Sequence, residues 1–223
     1  MAETAAPTAL LVTDFDGTLT EKDFYKLALE RFTPTETQYA WQRYLSGELT
    51  LFEGLQGVFS SIQSPQHEVE AALAEMGFDP LAAQAFERLR KSGWEVVVAS
   101  SGCTWYIERL LASAGIQATV HANPGDFAES GGLEMRVPSA SPYLSAKAGI
   151  DKAALVREAL QNYPIVAFAG DSGPDLEAAR LVQDPLRFAR SQLAEKLDQE
   201  GRTYHLYHRW SDIADILLTP QAS

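Results

Sequence analysis

Short apolar runs alternate along the chain with segments in which apolar residues recur every three or four positions. The first pattern is typical of buried strands and the second of helices. Strands are predicted at 8–13, 94–99, 118–121, 164–169 and 186–189. Helices are predicted at 80–91, 104–114, 152–161, 175–181, 192–200 and 211–218. Strands that alternate with helices form βαβ units, so the pattern favours an α/β fold with a parallel sheet.

Two stretches interrupt this alternation. Residues 21–79 are predicted to form a small helical bundle, with helices at 24–31, 35–45, 51–62 and 66–76 and breaks at Pro34, Gly47 and Ser64-Pro65. Residues 122–146 are rich in Gly, Pro and Ser and predict a hairpin that turns at Ser130-Gly131-Gly132. The organisation that follows is a core made of 1–20 and 80–223, with a helical domain at 21–79.

Composition narrows the class of protein and its partners. The 223 residues are 46% hydrophobic and 22% charged, which indicates a soluble globular chain. The 30 acidic and 18 basic residues give a net charge of −12, which repels nucleic acid and anionic membranes. We expect neither as a partner, and any phosphate site must concentrate its positive charge locally.

Cysteine content and apolar segments bear on location. Cys103 is the single cysteine, so no intrachain disulfide and no cysteine-based metal site can form. The first seven residues lack a basic segment, and no apolar run approaches the length of about eighteen residues that a membrane span needs. We expect a cytoplasmic protein, either a monomer or a homodimer.

Three predicted strands end in polar clusters. These are Asp14/Asp16, Ser100/Ser101 and Asp171/Asp175. Ligands of open parallel sheets bind at the carboxyl ends of the strands. The three clusters therefore predict one site at one edge of the sheet.

The paired carboxylates suggest the chemistry of that site. Asp14 and Asp16 are separated by one residue, and neighbouring carboxylates differ in proton affinity because one ionised group disfavours the other. One can then act as a nucleophile and the other as a general acid and base. Asp171 and Asp175 add oxygens of the kind that Mg²⁺ prefers, and the metal would offset the repulsion between a carboxylate and a phosphate dianion.

Four motifs resemble those of the haloacid dehalogenase superfamily of hydrolases, and they occur in the family's order. They are Val12-Thr13-Asp14-Phe15-Asp16-Gly17-Thr18-Leu19, Val96-Val97-Val98-Ala99-Ser100, Lys152, and Gly170-Asp171-Ser172-Gly173-Pro174-Asp175. The resemblance implies a three-layer, Rossmann-like core with a small helical-bundle cap at 21–79. It also implies a Mg²⁺-dependent phosphatase that acts on a small phosphorylated metabolite.

The resemblance implies roles for the strand-end residues. Asp14 would attack phosphorus and form an aspartyl-phosphate, while Asp16 would protonate the leaving oxygen and then activate water. Asp14, the carbonyl of Asp16 and Asp171 would hold the metal.

Further residues would bind the phosphoryl group. Ser100 and Lys152 would contact its oxygens, with the N–H groups of Gly17 and Ser101 as additional donors. Asp175 would orient Lys152 or a metal-bound water. Lys147 competes with Lys152 for its role, but Lys152 is preferred because it opens the helix that leads into the strand at 164–169.

Ordinary structural explanations exist for some of these residues. An Asp pair after a strand is often a turn or a helix cap, and Asp175 and Ser100 taken alone could serve the same purpose. Cys103 follows the second motif, yet a small residue that opens a buried helix is a simpler account than a nucleophile. Aromatic residues at helical spacing predict the core of the bundle, with some available to line a pocket: Trp41, Tyr44, Phe52 and Phe59.

The helical insert resembles the cap of the phosphoserine phosphatase branch. Asp23 falls where that branch has a Glu for the substrate amine, and Gln56 falls where it has an Arg for the substrate carboxylate. Gln cannot offer the charged, forked contact of Arg. Asp23 and Gln56 are therefore candidate specificity residues, and phosphoserine is disfavoured as the substrate.

A closer resemblance is to the methionine-salvage phosphatases, which act on 2-hydroxy-3-keto-5-methylthiopentenyl-1-phosphate. It is carried by Phe32-Thr33-Pro34, by 49–59, and by Ala122-Asn123-Pro124-Gly125-Asp126-Phe127. Relatives often carry a cysteine cluster where this chain has Ser-Pro-Tyr-Leu-Ser-Ala-Lys. Another small-metabolite phosphatase, a phosphotransferase or mutase, and a non-catalytic binding protein stay open as alternatives.

Overall fold

The computed structural model describes residues 7–35, 38–129 and 131–219. Its strands are β1 Ala9–Thr13, β2 Trp94–Cys103, β3 Thr119–Asn123, β4 Gly125–Phe127, β5 Leu133–Met135, β6 Leu144–Ser145, β7 Gly149–Ile150, β8 Ile165–Gly170, β9 Arg187–Ala189 and β10 His205–Leu206. Its α-helices are α1 Phe24–Arg31, α2 Tyr39–Leu45, α3 Leu51–Ser60, α4 Gln66–Ala72, α5 Ala82–Lys91, α6 Thr104–Ser113, α7 Lys152–Asn162, α8 Leu176–Leu181, α9 Ser191–Gln199 and α10 Trp210–Leu218.

Six parallel strands form the central sheet in the order β10-β9-β8-β1-β2-β3. β1 lies between β8 and β2, and all five of its residues are buried. A strand that is covered on both faces has to be apolar throughout, which explains the run Ala-Leu-Leu-Val-Thr. The order therefore places the ends of β8, β1 and β2 side by side.

Successive side chains of each strand point to opposite faces of the sheet. One face packs Leu11, Val96 and Val98 into the larger core, together with buried residues of α5, α6 and α10. The opposite face packs Leu10, Val12 and Phe168 against buried residues of α7, α8 and α9. Helices cover both faces, so the predicted three-layer α/β fold is confirmed.

The helical insert, α1 to α4, lies between β1 and α5 in the chain and packs over the larger core. Its helix α3 begins at a capping box, in which Thr50 Oγ1 accepts from the N–H of Glu53 and the Glu53 carboxylate accepts from the N–H of Thr50. β4 and β5 pair as the antiparallel hairpin predicted for 122–146. The hairpin contacts α3, since Gln56 Nε2 donates to the carbonyl of Met135 at 2.9 Å.

Several element bounds differ from the predictions. β2 extends four residues past 99, because its polar end continues the pairing with β3 after an irregularity, with Cys103 opposite Asn123. The helix predicted at 66–76 ends at Ala72 and continues as a 3₁₀ turn, Leu73–Met76, which stops at Gly77 with φ 66°. The two-residue strands β6, β7 and β10 were not predicted, because two residues carry no periodic pattern.

Some sequence predictions concern residues outside the described ranges. These are residues 1–6 of the segment that lacks basic residues, positions 36–37 of the helix predicted at 35–45, and Ser130 in the hairpin turn. Among the described residues, none of the helices is both long and apolar enough to cross a bilayer.

Candidate active site

The strand-end clusters meet at the carboxyl edge of the sheet. Asp14 directly follows β1, and its N–H donates to the carbonyl of Ala169 in β8 at 2.9 Å. Ser100 and Ser101 lie in β2 on the other side of β1, and Asp171 directly follows β8. Asp14, Ser100, Ser101 and Asp171 all line one pocket of about 540 Å³.

Lys152 sits between two carboxylates of this site. Asp151 caps α7 by accepting from the N–H of Ala154 at 2.9 Å, so Lys152 is the first residue of the helix. Lys152 Nζ lies 2.7 Å from Asp14 Oδ1 and 2.6 Å from Asp175 Oδ1, and its side chain is 5% exposed. Burial alone lowers the pKa of Lys152, but the two carboxylates outweigh burial and raise this pKa. Lys152 therefore carries a permanent positive charge beside Asp14.

The competing residue Lys147 lies elsewhere. Its side chain is exposed and is not among those that line the pocket. Its carbonyl accepts from the N–H of Phe52 at 3.0 Å. The geometry therefore agrees with the preference for Lys152.

Asp175 is fully buried and ties two elements together. Its Oδ1 contacts Lys152, and its Oδ2 accepts from the N–H of Ser172 at 2.9 Å and the N–H of Asp171 at 3.2 Å. These bonds hold the loop after β8 in a fixed shape. Asp175 thus places Asp171 and Lys152 relative to each other.

The acidic residues form a group that a divalent cation would fit. Ligand oxygens of Asp14, Asp171 and Asp175 lie within 4.8 Å of one another. Asp171 Oδ1 is buried and is one of the described side-chain atoms that lack a hydrogen-bond partner. Burial and Asp175 raise the pKa of Asp14, and the same two causes raise the pKa of Asp171 to about 7. Hard oxygen ligands and unbalanced negative charge at one point suit a cation such as Mg²⁺.

Gly17 lets the chain pass close to Asp171. Its φ of 68° is in the left-handed region that favours glycine, and a Cβ there would overlap the Asp171 carboxylate. The N–H of Gly17, a predicted phosphate donor, donates to Thr20 Oγ1 at 3.2 Å. Ser101 contributes a buried hydroxyl that has no partner among the described residues.

Both carboxylate oxygens of Asp16 are engaged. Oδ1 accepts from the N–H of Phe24 at 2.8 Å, and Oδ2 accepts from the Tyr106 hydroxyl at 2.6 Å. Ser100 Oγ lies 3.5 Å from Oδ2. Burial, helped by the negative charge of Asp23, raises the pKa of Asp16 to about 6. A carboxyl group with this pKa can exchange a proton near neutral pH, as a general acid and base must.

Two residues that contact the loop after β1 were not predicted from the sequence. Tyr106 approaches Asp16 from α6, 90 positions further along the chain. Arg190 donates to the carbonyls of Gly17 at 2.6 Å and Thr20 at 2.7 Å, which fixes the loop after β1. Tyr106 lies inside α6 and belongs to no local motif, so the sequence offered no signal for it. Arg190 directly follows β9, a parallel strand of the same sheet, so the strand-end pattern could have indicated it.

The helical insert supplies the other wall of the pocket, and this wall is aromatic and aliphatic. It is made of Tyr25, Trp41, Tyr44, Leu45, Leu51, Leu55 and Phe59. The Trp41 ring lies 4.0 Å from the ring of Tyr25 and 4.8 Å from that of Tyr44, measured between centroids. Phe52, which was predicted together with Trp41, Tyr44 and Phe59 as a core residue of the bundle, belongs to the core and does not line the pocket.

The two candidate specificity residues have different positions. Asp23 lines the pocket and pairs with Lys26 at 2.6 Å. Gln56 is exposed, lies outside the pocket and contacts the hairpin. Leu51, Leu55 and Phe59 present one face of α3 to the pocket, and one residue further along a helix is rotated by about 100°. The structure therefore does not bring Gln56 to the site.

Cys103 is buried, and burial raises the pKa of its thiol to about 11. A thiol with this pKa is a poor nucleophile at neutral pH. This agrees with the packing role expected for it.

Curated relatives match nearly the whole chain. A 2-hydroxy-3-keto-5-methylthiopentenyl-1-phosphate phosphatase from Bacillus cereus is 26% identical over 210 residues, which cover 92% of this chain and 93% of the relative. A phosphatase of the same name from Brevibacillus brevis is 26% identical over 214 residues, with 93% and 94% covered.

Solved structures share the fold. A haloacid dehalogenase family hydrolase from Salmonella enterica superposes with a TM-score of 0.72 at 15% identity, over 97% of this chain and 73% of that one. A phosphoserine phosphatase from T. onnurineus superposes with a TM-score of 0.66 at 17% identity, over 99% of both chains. The model of the haloacid dehalogenase-like hydrolases matches residues 11–180, a range that contains all four motifs. The chain belongs to the haloacid dehalogenase-like hydrolase family.

Proposed function

We propose that this protein is a Mg²⁺-dependent phosphomonoesterase that hydrolyses a small phosphorylated metabolite through an aspartyl-phosphate on Asp14. The observation that supports this proposal most directly is that Asp14 and Asp16 lie in one pocket with Lys152, whose Nζ is 2.7 Å from Asp14 Oδ1. Relatives named as phosphatases over nine-tenths of the chain support the same reaction class. Residues 21–79 act as the cap of this site.

The first step transfers the phosphoryl group to Asp14. A bond forms between an Asp14 carboxylate oxygen and phosphorus while the ester P–O bond breaks, and Asp16 gives its proton to the leaving oxygen. Asp14 Oδ1 lies 2.7 Å from Lys152 Nζ and also accepts from the N–H of Phe15 at 2.7 Å. These two contacts fix the orientation of the carboxylate for attack. Lys152 also offsets the negative charge that builds on the phosphoryl oxygens.

The second step regenerates the carboxylate. Asp16, now ionised, takes a proton from water as the water oxygen bonds to phosphorus and the bond to Asp14 breaks. The same residue acts as acid and then as base, which requires a pKa near the working pH. The value of about 6 meets that requirement.

The acidic group would hold the metal. Asp14 and Asp171, with the carbonyl of Asp16 and with Asp175 close by, are the groups that would bind it. Bound Mg²⁺ supplies charge neutralisation that lets an anionic nucleophile approach a phosphate dianion.

The pocket wall favours a substrate with an uncharged, apolar tail. Three cations line the pocket among the described residues: Lys26 is paired with Asp23, Lys152 with Asp14 and Asp175, and Arg190 with backbone carbonyls. A phosphoserine carboxylate would have to compete with these partners. The aromatic wall suits a thioether instead, because sulfur packs well against ring edges. We therefore propose the 2-hydroxy-3-keto-5-methylthiopentenyl-1-phosphate of the named relatives as the substrate.

Phosphate release across a panel tests this proposal. The panel contains that compound, phosphoserine and p-nitrophenyl phosphate, each with Mg²⁺ and with EDTA. We expect release that needs Mg²⁺ and has the highest kcat/KM for the methylthio compound. Consumption without phosphate release would indicate a transferase or mutase, and no turnover of any ester would indicate a binding protein.

Trp41→Ala tests the apolar wall. We expect the KM for the methylthio compound to rise about tenfold, since a well-packed aromatic contact contributes about 1 kcal/mol or more. Tyr39→Ala is the matched control, because Tyr39 lies on the same helix α2 but is 67% exposed and outside the pocket. Equal effects of the two substitutions would show that the wall does not select the substrate.

A further inference from the structure

The shortest hydrogen bond of the Asp16 side chain among the described residues comes from a residue that belongs to none of the four motifs. Tyr106 is 1% exposed and donates its hydroxyl to Asp16 Oδ2 at 2.6 Å. Hydrogen bonds to a charged acceptor are shorter and stronger than neutral ones. Tyr106 is also one of the residues that line the pocket. Its contact with Asp16 therefore belongs to the site that the substrate has to enter.

A second hydrogen bond restrains the other oxygen of the Asp16 carboxylate. The N–H of Phe24, the first residue of α1, donates to Asp16 Oδ1 at 2.8 Å. The Phe24 ring stacks on the Tyr106 ring with centroids 4.4 Å apart. Tyr106 and Phe24 thus form one packed unit, which holds both oxygens and sets the rotation of the carboxyl group.

The backbone leaves room for the hydroxyl. A Cβ at Gly102 would overlap the Tyr106 hydroxyl and would stand 2.9 Å from Asp16 Oδ2. Gly102 has no positive φ, so conformational freedom is not what requires glycine there. The requirement is the space that the contact between Tyr106 and Asp16 occupies.

We propose that Tyr106 is a positioning residue that orients the Asp16 carboxyl for proton transfer to the leaving oxygen. This inference rests on the proposed phosphatase function. It predicts that loss of the hydroxyl harms esters whose leaving oxygen needs a proton and spares esters whose leaving oxygen does not. A residue needed only for packing would harm both kinds of ester equally.

Tyr106→Phe with two aryl phosphate esters tests the proposal. Phenyl phosphate has a basic leaving oxygen that needs protonation, whereas p-nitrophenyl phosphate has a stable anionic leaving group. The value of kcat/KM covers the steps up to loss of the leaving group. We expect Tyr106→Phe to lower kcat/KM about tenfold for phenyl phosphate and less than about threefold for p-nitrophenyl phosphate. The tenfold loss is a fraction of the full effect of acid catalysis.

Tyr163→Phe is the matched control. The Tyr163 hydroxyl donates to Glu95 Oε2 at 2.7 Å, so this variant loses a similar hydrogen bond outside the pocket. Both of its kcat/KM values should stay within about twofold of wild type, since the bond is remote from the chemistry. Gly102→Ala keeps the Tyr106 hydroxyl but blocks its place, and should reproduce the leaving-group selectivity of Tyr106→Phe.

Each outcome decides between the two claims. Equal losses for both esters, or no loss for either, would overturn the role of Tyr106 while the phosphatase assignment stands. A wild-type protein that hydrolyses neither these esters nor the metabolite panel would overturn the phosphatase assignment, and the role of Tyr106 with it.

Discussion

Replacement of Lys152 by Met tests the electrostatic design of the site. The substitution keeps an unbranched apolar stem and removes the positive charge that lies between Asp14 and Asp175. At 2.7 and 2.6 Å and an effective dielectric constant of about 20, each ion pair gains about 6 kcal/mol before desolvation. Desolvation cancels much of this gain, and loss of one partner of a buried pair costs about 3–5 kcal/mol. For a chain of this size the melting temperature should fall by roughly 6–20 °C.

The loss should depend on pH. The pKa of Asp14 is already raised in the folded protein, and Lys152 is one of the groups that lower it. Without Lys152 this pKa rises further, so the folded variant binds more protons than the unfolded chain over a wider pH range. Its stability is then retained at low pH and falls as pH increases. The loss relative to wild type should therefore be larger at pH 8 than at pH 5.

Urea unfolding in EDTA at both pH values measures the free energy of unfolding directly. Lys91→Met serves as the control, because Lys91 pairs with Glu87 at 3.2 Å with its side chain 69% exposed; such a pair contributes less than about 1 kcal/mol. A Lys152→Met loss below about 1 kcal/mol at pH 8, or equal losses at the two pH values, would refute the reasoning.

Three further predictions concern the acidic group and the turn beside it. Asp23→Asn removes a charge that raises the pKa of Asp16, so the alkaline limb of the kcat/KM profile should move to lower pH; an unmoved limb would exclude this coupling. Mg²⁺ should raise the melting temperature more at pH 8 than at pH 6, because the Asp171 pKa of about 7 makes the cation compete with protons at the lower pH; equal shifts would argue against metal binding there. Gly17→Ala and Gly115→Ala both strain a backbone with φ near 70°, which costs about 1–2 kcal/mol each, but only Gly17 faces Asp171. Phosphatase activity should therefore fall in Gly17→Ala alone, and equal activity in both variants would contradict this.

The sheet and the acidic group could be predicted because their signals are local. β1 and β8 are apolar runs, β2 is apolar from Val96 to Ala99, and each strand is followed by or ends in polar residues. Parallel topology then brings those ends to one edge. The prediction of Asp14, Asp16 and Asp171 as site residues required no knowledge of how distant helices pack.

Other site features depend on how distant helices pack. Tyr106 reaches Asp16 only because α6 turns one face toward the loop after β1, and a rotation by one residue would remove the contact. Gln56 illustrates the same limit, since its neighbour Leu55 lines the pocket while Gln56 itself contacts Met135. Comparison with a family motif places Gln56 on α3. It does not show which face of that helix meets the substrate.

Covalent phosphorylation of Asp14 is the central claim, and rapid acid quench tests it most directly. The protein would be mixed with Mg²⁺ and p-nitrophenyl phosphate, quenched within one turnover, digested and analysed by mass spectrometry. We predict a phosphoryl group on the peptide that contains Asp14, and none in the Asp14→Asn variant. Phosphate release by the wild type without any phosphorylated peptide, or with the label on a residue other than Asp14, would contradict the mechanism.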